Sequence, residues 1–269
     1  MRIYVINLDR SADRLAWMAE ALGRHGLSFN RVRAIEPHEI SLPVGDVTVG
    51  ENRRGRPWDD AEIACFLSHR ECWKRIVADD LAHGIVLEDD IHLCAHASGF
   101  LGDLSWLPYD CHLLKLETTL RPALIGAMRY SRGGRTVHDL RSFHFGSAGY
   151  IVSGEMARRL LDESANFDVC VDGFLFNPSF GSGRFAPMQL VPALCVQDKF
   201  LNPESHRLAS LIRPSGRDRG SLPDKKRNTI PERILSEITR PLRRVASRVL
   251  RLLRGEKLLV IPFGAVSDP

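Results

Sequence analysis

The stretch Gly84-Ile85-Val86-Leu87-Glu88-Asp89-Asp90 carries an apolar run straight into three adjacent carboxylates. A short run rich in β-branched residues and stopped by charge is the pattern of a strand covered on both faces. Arg2–Leu8 (RIYVINL) repeats that pattern and leads into Asp9, Arg10 and Ser11. Between these strands, Asp9 or Ser11 caps a helix reaching about His25, with Leu15, Met18, Ala19 and Leu22 inward and Gly26 as its stop. Leu27–Ile35 reads as a second strand and residues 37–58 as a long loop. Asp59 or Asp60 begins the helix before the acidic strand, and Ile63, Phe66, Leu67, Trp73, Ile76 and Val77 keep its period to about Ala82.

Downstream, His112–Leu116, Tyr150–Val152 and Leu190–Val196 read as strands, Gly133-Gly134 as a hairpin turn, and Gly154–Leu161 as a helix. Strands alternating with amphipathic helices predict an α/β Rossmann-type sandwich around a mostly parallel sheet, whose ligands gather at the carboxyl ends of the strands.

The whole chain of 269 residues, 44% hydrophobic and 26% charged, excludes fibrous and wholly disordered classes. No apolar run approaches the ~18–20 residues of a membrane span, and Asn7 and Asp9 interrupt any leader core, so a cytoplasmic protein is expected. The six cysteines form no C-x-x-C pair, and neither disulfides nor zinc are expected.

The net charge of +4 hides an asymmetry: residues 207–257 hold 15 Lys/Arg against 5 Asp/Glu. The reading is a domain over 1–206, a linker over 207–230 and a basic amphipathic helical tail over 231–269. In that tail Ile234, Ile238, Leu242, Val245, Val249 and Leu252 recur at helical steps among arginines. Such a helix suits an anionic membrane surface through 231–254, or packing on the body or a second subunit. Without interleaved aromatics or a nucleic-acid motif, no nucleic-acid partner is expected.

Glu88, Asp89 and Asp90 repel one another and need a cation or solvent to offset them. A divalent Mn²⁺ or Mg²⁺ shared with phosphates does this, and Glu88 and Asp90, two apart, would face one side of extended backbone. A solvated acidic turn is the alternative. Asn7, Asp9 and Arg10 share the rim, and Ser68-His69-Arg70 lie in the intervening helix.

Three runs carry a resemblance: Ile3–Ser11 with Asp13-Arg14, Glu62–His69 with Trp73, and Val86–Asp90. With Gly146–Ser153, Ala157 and Val171-Asp172 they resemble glycosyltransferase family 25 over about residues 2–206. The resemblance implies a GT-A-like fold and a nucleotide-sugar donor, commonly UDP-galactose. It also implies Mn²⁺ and transfer with inversion to an oligosaccharide or glycolipid acceptor. It makes Glu88 and Asp90 the metal residues, Asp90 foremost, and sets Asn7, Asp9, Arg10, Arg14, Ser68, His69 and Asp89 beside the donor. Ala64 stands where relatives often have Gly, and Gly173-Phe174 after Asp172 leaves the acceptor side open to difference.

Inversion requires a base, for which Asp172 is the first candidate and Glu117 the reserve; a helix cap is the competing role for Asp172. Arg53, Arg54 and Arg56 are candidates for a lid over the donor. Gly181-x-Gly183-x-x-Ala186 is rejected as a dinucleotide motif because Pro187 interrupts its helix, and His92 and His96 read as a solvent-facing pair. The expected function is hexosyl transfer, with a nucleotide sugar and a lipooligosaccharide-type acceptor at the inner membrane face as partners. The alternatives are a nucleotidyltransferase and a non-catalytic, membrane-associated partner protein.

Overall fold

A computed structural model describes residues 1–40, 47–53, 55–178, 185–202, 204, 208 and 254–264. The first half runs β1 (Arg2–Asn7), α1 (Ala12–Gly23), β2 (Asn30–Arg33), β3 (Thr48–Val49), α2 (Asp60–Ala78), β4 (His83–Glu88), β5 (Ile91–Leu93) and α3 (Ser98–Leu101). Then come β6 (Leu113–Lys115), β7 (Glu117–Thr118), β8 (Pro122–Arg132), β9 (Arg135–Leu140), β10 (Gly149–Ser153), α4 (Gly154–Glu163), β11 (Asn166–Phe167) and α5 (Val171–Phe176). The chain continues through β12 (Met188–Val191), β13 (Cys195–Gln197), α6 (Asp198–Leu201) and β14 (Lys257–Val260).

The main sheet has nine strands in the order β14-β8-β9-β12-β6-β10-β4-β1-β2. The runs of β1, β4 and β10 at its centre are mostly apolar because successive side chains enter different cores. Tyr4, Ile6, Val86, Tyr150 and Val152 pack under α2 and α4, while Ile3, Val5, Ile85, Leu87 and Ile151 pack toward α1 and α3. At full burial each such side chain contributes roughly 1.5–3 kcal/mol. The α/β sandwich is thus as the sequence implies.

Its parallel pairings are β2/β1, β1/β4 and β6/β12; the other five are antiparallel. The parallel share is smaller than the sequence suggests, because a strand buried on both faces looks the same in either direction. The β8–β9 hairpin is antiparallel by construction, closed by Gly133 and Gly134 at φ +53° and +72°.

Helix α2 starts where expected, with Asp59 as cap and a reciprocal box between Asp59 and Glu62. In α1 the inward face is Arg14, Met18, Ala21 and Leu22, with Ala19 exposed. The single strand expected over Leu190–Val196 is two, β12 and β13, separated around Pro192, which has no N–H to give a ladder.

The far C-terminal end belongs to the body. β14 pairs antiparallel with β8, Ile261 is fully buried, and its carbonyl accepts from Thr118 Oγ1 at 2.6 Å. Arg135 Nη2 donates to Gly264 O at 2.8 Å. A tail running unbroken over 231–269 is therefore corrected: its last part completes the sheet. The amphipathic stretch through residue 253, the linker apart from the buried Leu208, and Gly181–Gly183 lie outside the described residues. No described helix is long and apolar enough to cross a membrane.

Candidate active site at the strand ends

The pairings bring the carboxyl ends of β1, β4 and β6 and the amino end of β10 to one rim. That rim gathers Asn7, Glu88, Lys115, Glu117 and Ser147. At the end of β4 the three carboxylates diverge. Asp89 turns to Asn7 Nδ2 at 2.7 Å and Arg14 Nη1 at 3.0 Å. Glu88 Oε2 and Asp90 Oδ1 instead accept from the same Gln197 Nε2, at 3.1 and 3.0 Å. The i, i+2 relation read from sequence thus brings Glu88 and Asp90 together and sends Asp89 elsewhere.

Behind Glu88 runs a chain whose proton order follows from its donors. Trp73 Nε1 can only donate, and it donates to Tyr150 Oη at 2.8 Å. The Tyr150 hydrogen is then directed to His69 Nδ1 at 3.0 Å, which leaves the proton on His69 Nε2, 3.3 Å from Glu88 Oε1. Ser147 Oγ donates to the same Oε1 at 3.0 Å. Burial raises the Glu88 carboxyl, but the hydrogen bonds from His69 and Ser147 and the charge of Lys199 outweigh it and the carboxyl ends below its ordinary range. Asp90 has less support: burial and the Glu88 charge push it up to about 6. Burial likewise raises Asp89, against the pull of Asn7 and Arg14.

A half-buried and a buried carboxylate, Glu88 and Asp90, sharing a single amide donor form an electron-rich set of hard oxygens. Such a set fits Mg²⁺ or Mn²⁺. Cys65, His69 and Glu88 also bring ligand atoms within 4.8 Å of one another. Burial holds the Cys65 thiol well above its usual range, however, and His69 Nε2 carries its proton toward Glu88. That trio orients Glu88.

Asp172 lies in the first turn of α5. Its Oδ1 accepts from Gly173 N at 2.7 Å and Cys170 Sγ at 2.8 Å, while among the described residues Oδ2 accepts only from Gly146 N, at 3.3 Å. It therefore combines a helix-terminal position with one lightly engaged oxygen facing the loop that carries Ser147. Glu117 is behind that loop and has no exposed surface. Its Oε2 accepts from Ala148 N at 3.0 Å and lies 3.3 Å from Lys115 Nζ, and Oε1 has no hydrogen-bond partner among the described residues. Burial, opposed by Lys115, pushes it up to about 7. The reserve role as base is corrected: Glu117 is sealed beneath the rim and supports it from inside.

Other expectations need similar revision. Ser68 spends its hydroxyl on Ala64 O at 2.7 Å and Ile35 N at 2.9 Å, so it packs α2 and does not face a donor. Asp9 is paired with Arg31 at 2.5 Å and Arg33 at 2.7 Å, and Arg10 with Glu36. Arg14 and Asn7 hold Asp89, and Asn7 Oδ1 also accepts from Arg31 Nε at 3.0 Å. These groups form a bonded border, and His69 acts on Glu88 instead of standing beside a donor. In the expected lid, Arg53 pairs with Asp168 at 2.5 Å and Arg56 with Glu62 at 2.6 Å; Arg54 lies outside the described residues. His92 is no solvent-facing histidine: its Nε2 meets Asp198 Oδ1 at 2.7 Å and its ring packs edge-on to Trp17.

Sequence reasoning missed Gln197, Lys115 and Lys199. Lys199, beside Gln197, lowers both Glu88 and Asp90 by its charge. Ser147 stood in a quoted run, but without a role.

Comparison with known proteins adds to this geometry. A family model described as "Glycosyltransferase family 25 (LPS biosynthesis protein)" matches residues 1–175. The lacto-N-neotetraose biosynthesis glycosyltransferase LgtB of Neisseria meningitidis serogroup B is 31% identical over 283 residues, covering 98% of this chain and 100% of that protein. A putative glycosyltransferase of Haemophilus influenzae is 30% identical over 241 residues, covering 88% and 83%. The lipooligosaccharide biosynthesis protein lex-1 of Haemophilus influenzae is 27% identical over 207 residues, covering 73% and 65%.

Proposed function

The chain belongs to glycosyltransferase family 25, and from that premise we propose that it moves a hexose, galactose in this reading, from a UDP-sugar to a lipopolysaccharide- or lipooligosaccharide-type acceptor. Membership of that family displaces the nucleotidyltransferase and non-catalytic readings. The observation that carries the proposal is the pairing of Glu88 and Asp90 on Gln197 at one side of a loop whose other side meets Asp172.

Glu88 and Asp90 would hold Mn²⁺ or Mg²⁺, which when bound supplies positive charge to the leaving diphosphate. Gln197 and Ser147 fix the direction of the two carboxylates before substrate arrives. His69 holds Glu88 ionised. Arg14 keeps Asp89 turned away, so that the negative charge at the rim is divided between two tasks. Asp172 Oδ2 accepts the proton of the acceptor hydroxyl as its oxygen bonds to the anomeric carbon and the bond to the diphosphate breaks. Attack from the face opposite the leaving group inverts that carbon.

The basic stretch through residue 254 supports a cytoplasmic enzyme resting on an anionic membrane surface, where an amphiphilic acceptor is concentrated. Incubation with UDP-galactose, UDP-glucose or UDP-N-acetylglucosamine, Mn²⁺ and a lipooligosaccharide-derived acceptor tests the reaction. UDP and an elongated acceptor are expected, with the signal abolished by EDTA. Pyrophosphate as product, or full activity in chelator, overturns it.

A further inference from the structure

The peptide joining Phe145 to Gly146 is held on both sides. Its carbonyl accepts from the buried Lys115 Nζ at 2.6 Å, and its N–H donates to Asp172 Oδ2 at 3.3 Å. Gly146 sits at φ +86°, and a Cβ there would lie 2.5 Å from Glu117 Oε1, so the turn admits no side chain. On this fixed backbone the Phe145 ring is directed outward. The residue is 45% exposed, with Phe143 tilted against it at 4.4 Å and the Arg121 guanidinium 5.8 Å above the ring. Summing bond lengths from the Asp172 oxygen, the ring centre lies no farther than about 11 Å away, roughly two pyranose rings.

We propose that Phe145, flanked by Phe143 and Arg121, is an acceptor subsite that takes the apolar face of a pyranose ring. The reading rests on Asp172 as the base of the transfer. Pyranose C–H groups are weakly positive and suit the negative face of an aromatic ring, while Arg121 N–H groups can donate to ring hydroxyls. An exposed aromatic usually costs solubility. Here it adjoins the group that receives the acceptor proton, and its backbone is fixed by the same contact.

Saturation-transfer difference NMR on the full chain tests this with methyl β-D-glucopyranoside, methyl β-D-galactopyranoside and methyl N-acetyl-β-D-glucosaminide. At least one should receive saturation at its ring C–H protons from the unaltered protein and from Phe145→Tyr. Phe145→Ala should weaken that pyranoside's binding about tenfold, and Phe145→Leu should weaken it as well. Tyr109→Ala, which removes a 97% exposed aromatic elsewhere, should leave it unchanged. Binding of none of the three sugars, or equal binding by Phe145→Ala, overturns the subsite. UDP release from donor alongside such a null result leaves the reaction standing. Sugar binding through Phe145 without any donor turnover overturns the reaction and keeps the subsite.

Discussion

The two ends of the rim solve opposite problems. At the β1–β4 end, Asn7, Asp9, Arg10, Arg14, Arg31 and Asp89 are engaged with one another or with neighbouring protein groups, and only Glu88 and Asp90 converge on a common point. At the β6–β10 end the order is inverted: the charged pair Lys115–Glu117 is sealed inside, and the loop on top of it exposes Phe145 while Ser147 turns inward to Glu88. Lys115 also donates to the carbonyls of His144 and Gly146 and lies 4.5 Å from the Phe176 ring. One end brings like charges together for a ligand to neutralise; the other uses a buried pair of opposite charges to stiffen the loop that exposes Phe145.

The division can be broken at several points. Asp90→Asn should cost about a thousandfold in transfer, since it removes the charge meant to hold the cation; near-normal UDP release would detach that end from catalysis. Asp172→Asn should lower kcat by about a hundredfold or more, and a normal rate would mean that its oxygen serves only as a helix-terminal acceptor. At the buried end, Lys115→Met should destabilise by about 3–5 kcal/mol, because an unpaired carboxylate is left in the interior, whereas Lys115→Met with Glu117→Leu should recover most of that loss. Urea midpoints of the two variants decide whether the pair stiffens by its charge.

A subtler effect is in pH. Burial first, then Lys115, pushes His144 down to about 3. Its unfolded value is about 6.5, so its contribution is complete above that value and drains away as pH falls toward 3. Glu117, raised to about 7, behaves in the opposite sense: its contribution is complete below its unfolded value of about 4.3 and is lost as pH rises through 7. Between about pH 4.5 and 6.5 the two slopes oppose each other at up to about 1.4 kcal/mol per unit each. His144→Gln should expose the Glu117 slope, with melting temperature falling as pH rises across that window. A flat profile in the variant would remove Glu117 from the account. Least of all, Arg33→Ala should leave the melting temperature unchanged, because its pairs with Asp9 and Glu39 are half exposed and solvent screens them.

Much of this is legible in the sequence alone. β1, β4, α2 and the α4 segment follow from periodicity and caps, and the pairing of Glu88 with Asp90 follows from the alternation of side chains along extended backbone. Gln197 was not readable, because it meets Asp90 across 107 residues and looks like any polar residue at a strand end. Lys115 was hidden for a different reason: within Leu113–Leu116 a lysine reads as an outward interruption, yet it is wholly buried among carbonyls. The border residues Asp9 and Arg10 have the composition of a phosphate site. Only the partners Arg31, Arg33 and Glu36, brought in by β2 and the turn after it, reveal that they are engaged. β14, an exposed edge strand, and β8, exposed over its second half, escaped because strands so little buried carry little periodic signal.

The join between β14 and β8 also bears on how the chain is made. The Thr118–Ile261 contact spans 143 residues, which at about 5–20 residues per second takes roughly 7–30 s to translate. Throughout that interval β8 leaves the ribosome as a bare, hydrogen-bond-hungry edge. Crowded polysomes would then be the place where this protein is most prone to self-association, and holding chaperones, or slower initiation, should raise its yield more than any change to the finished surface.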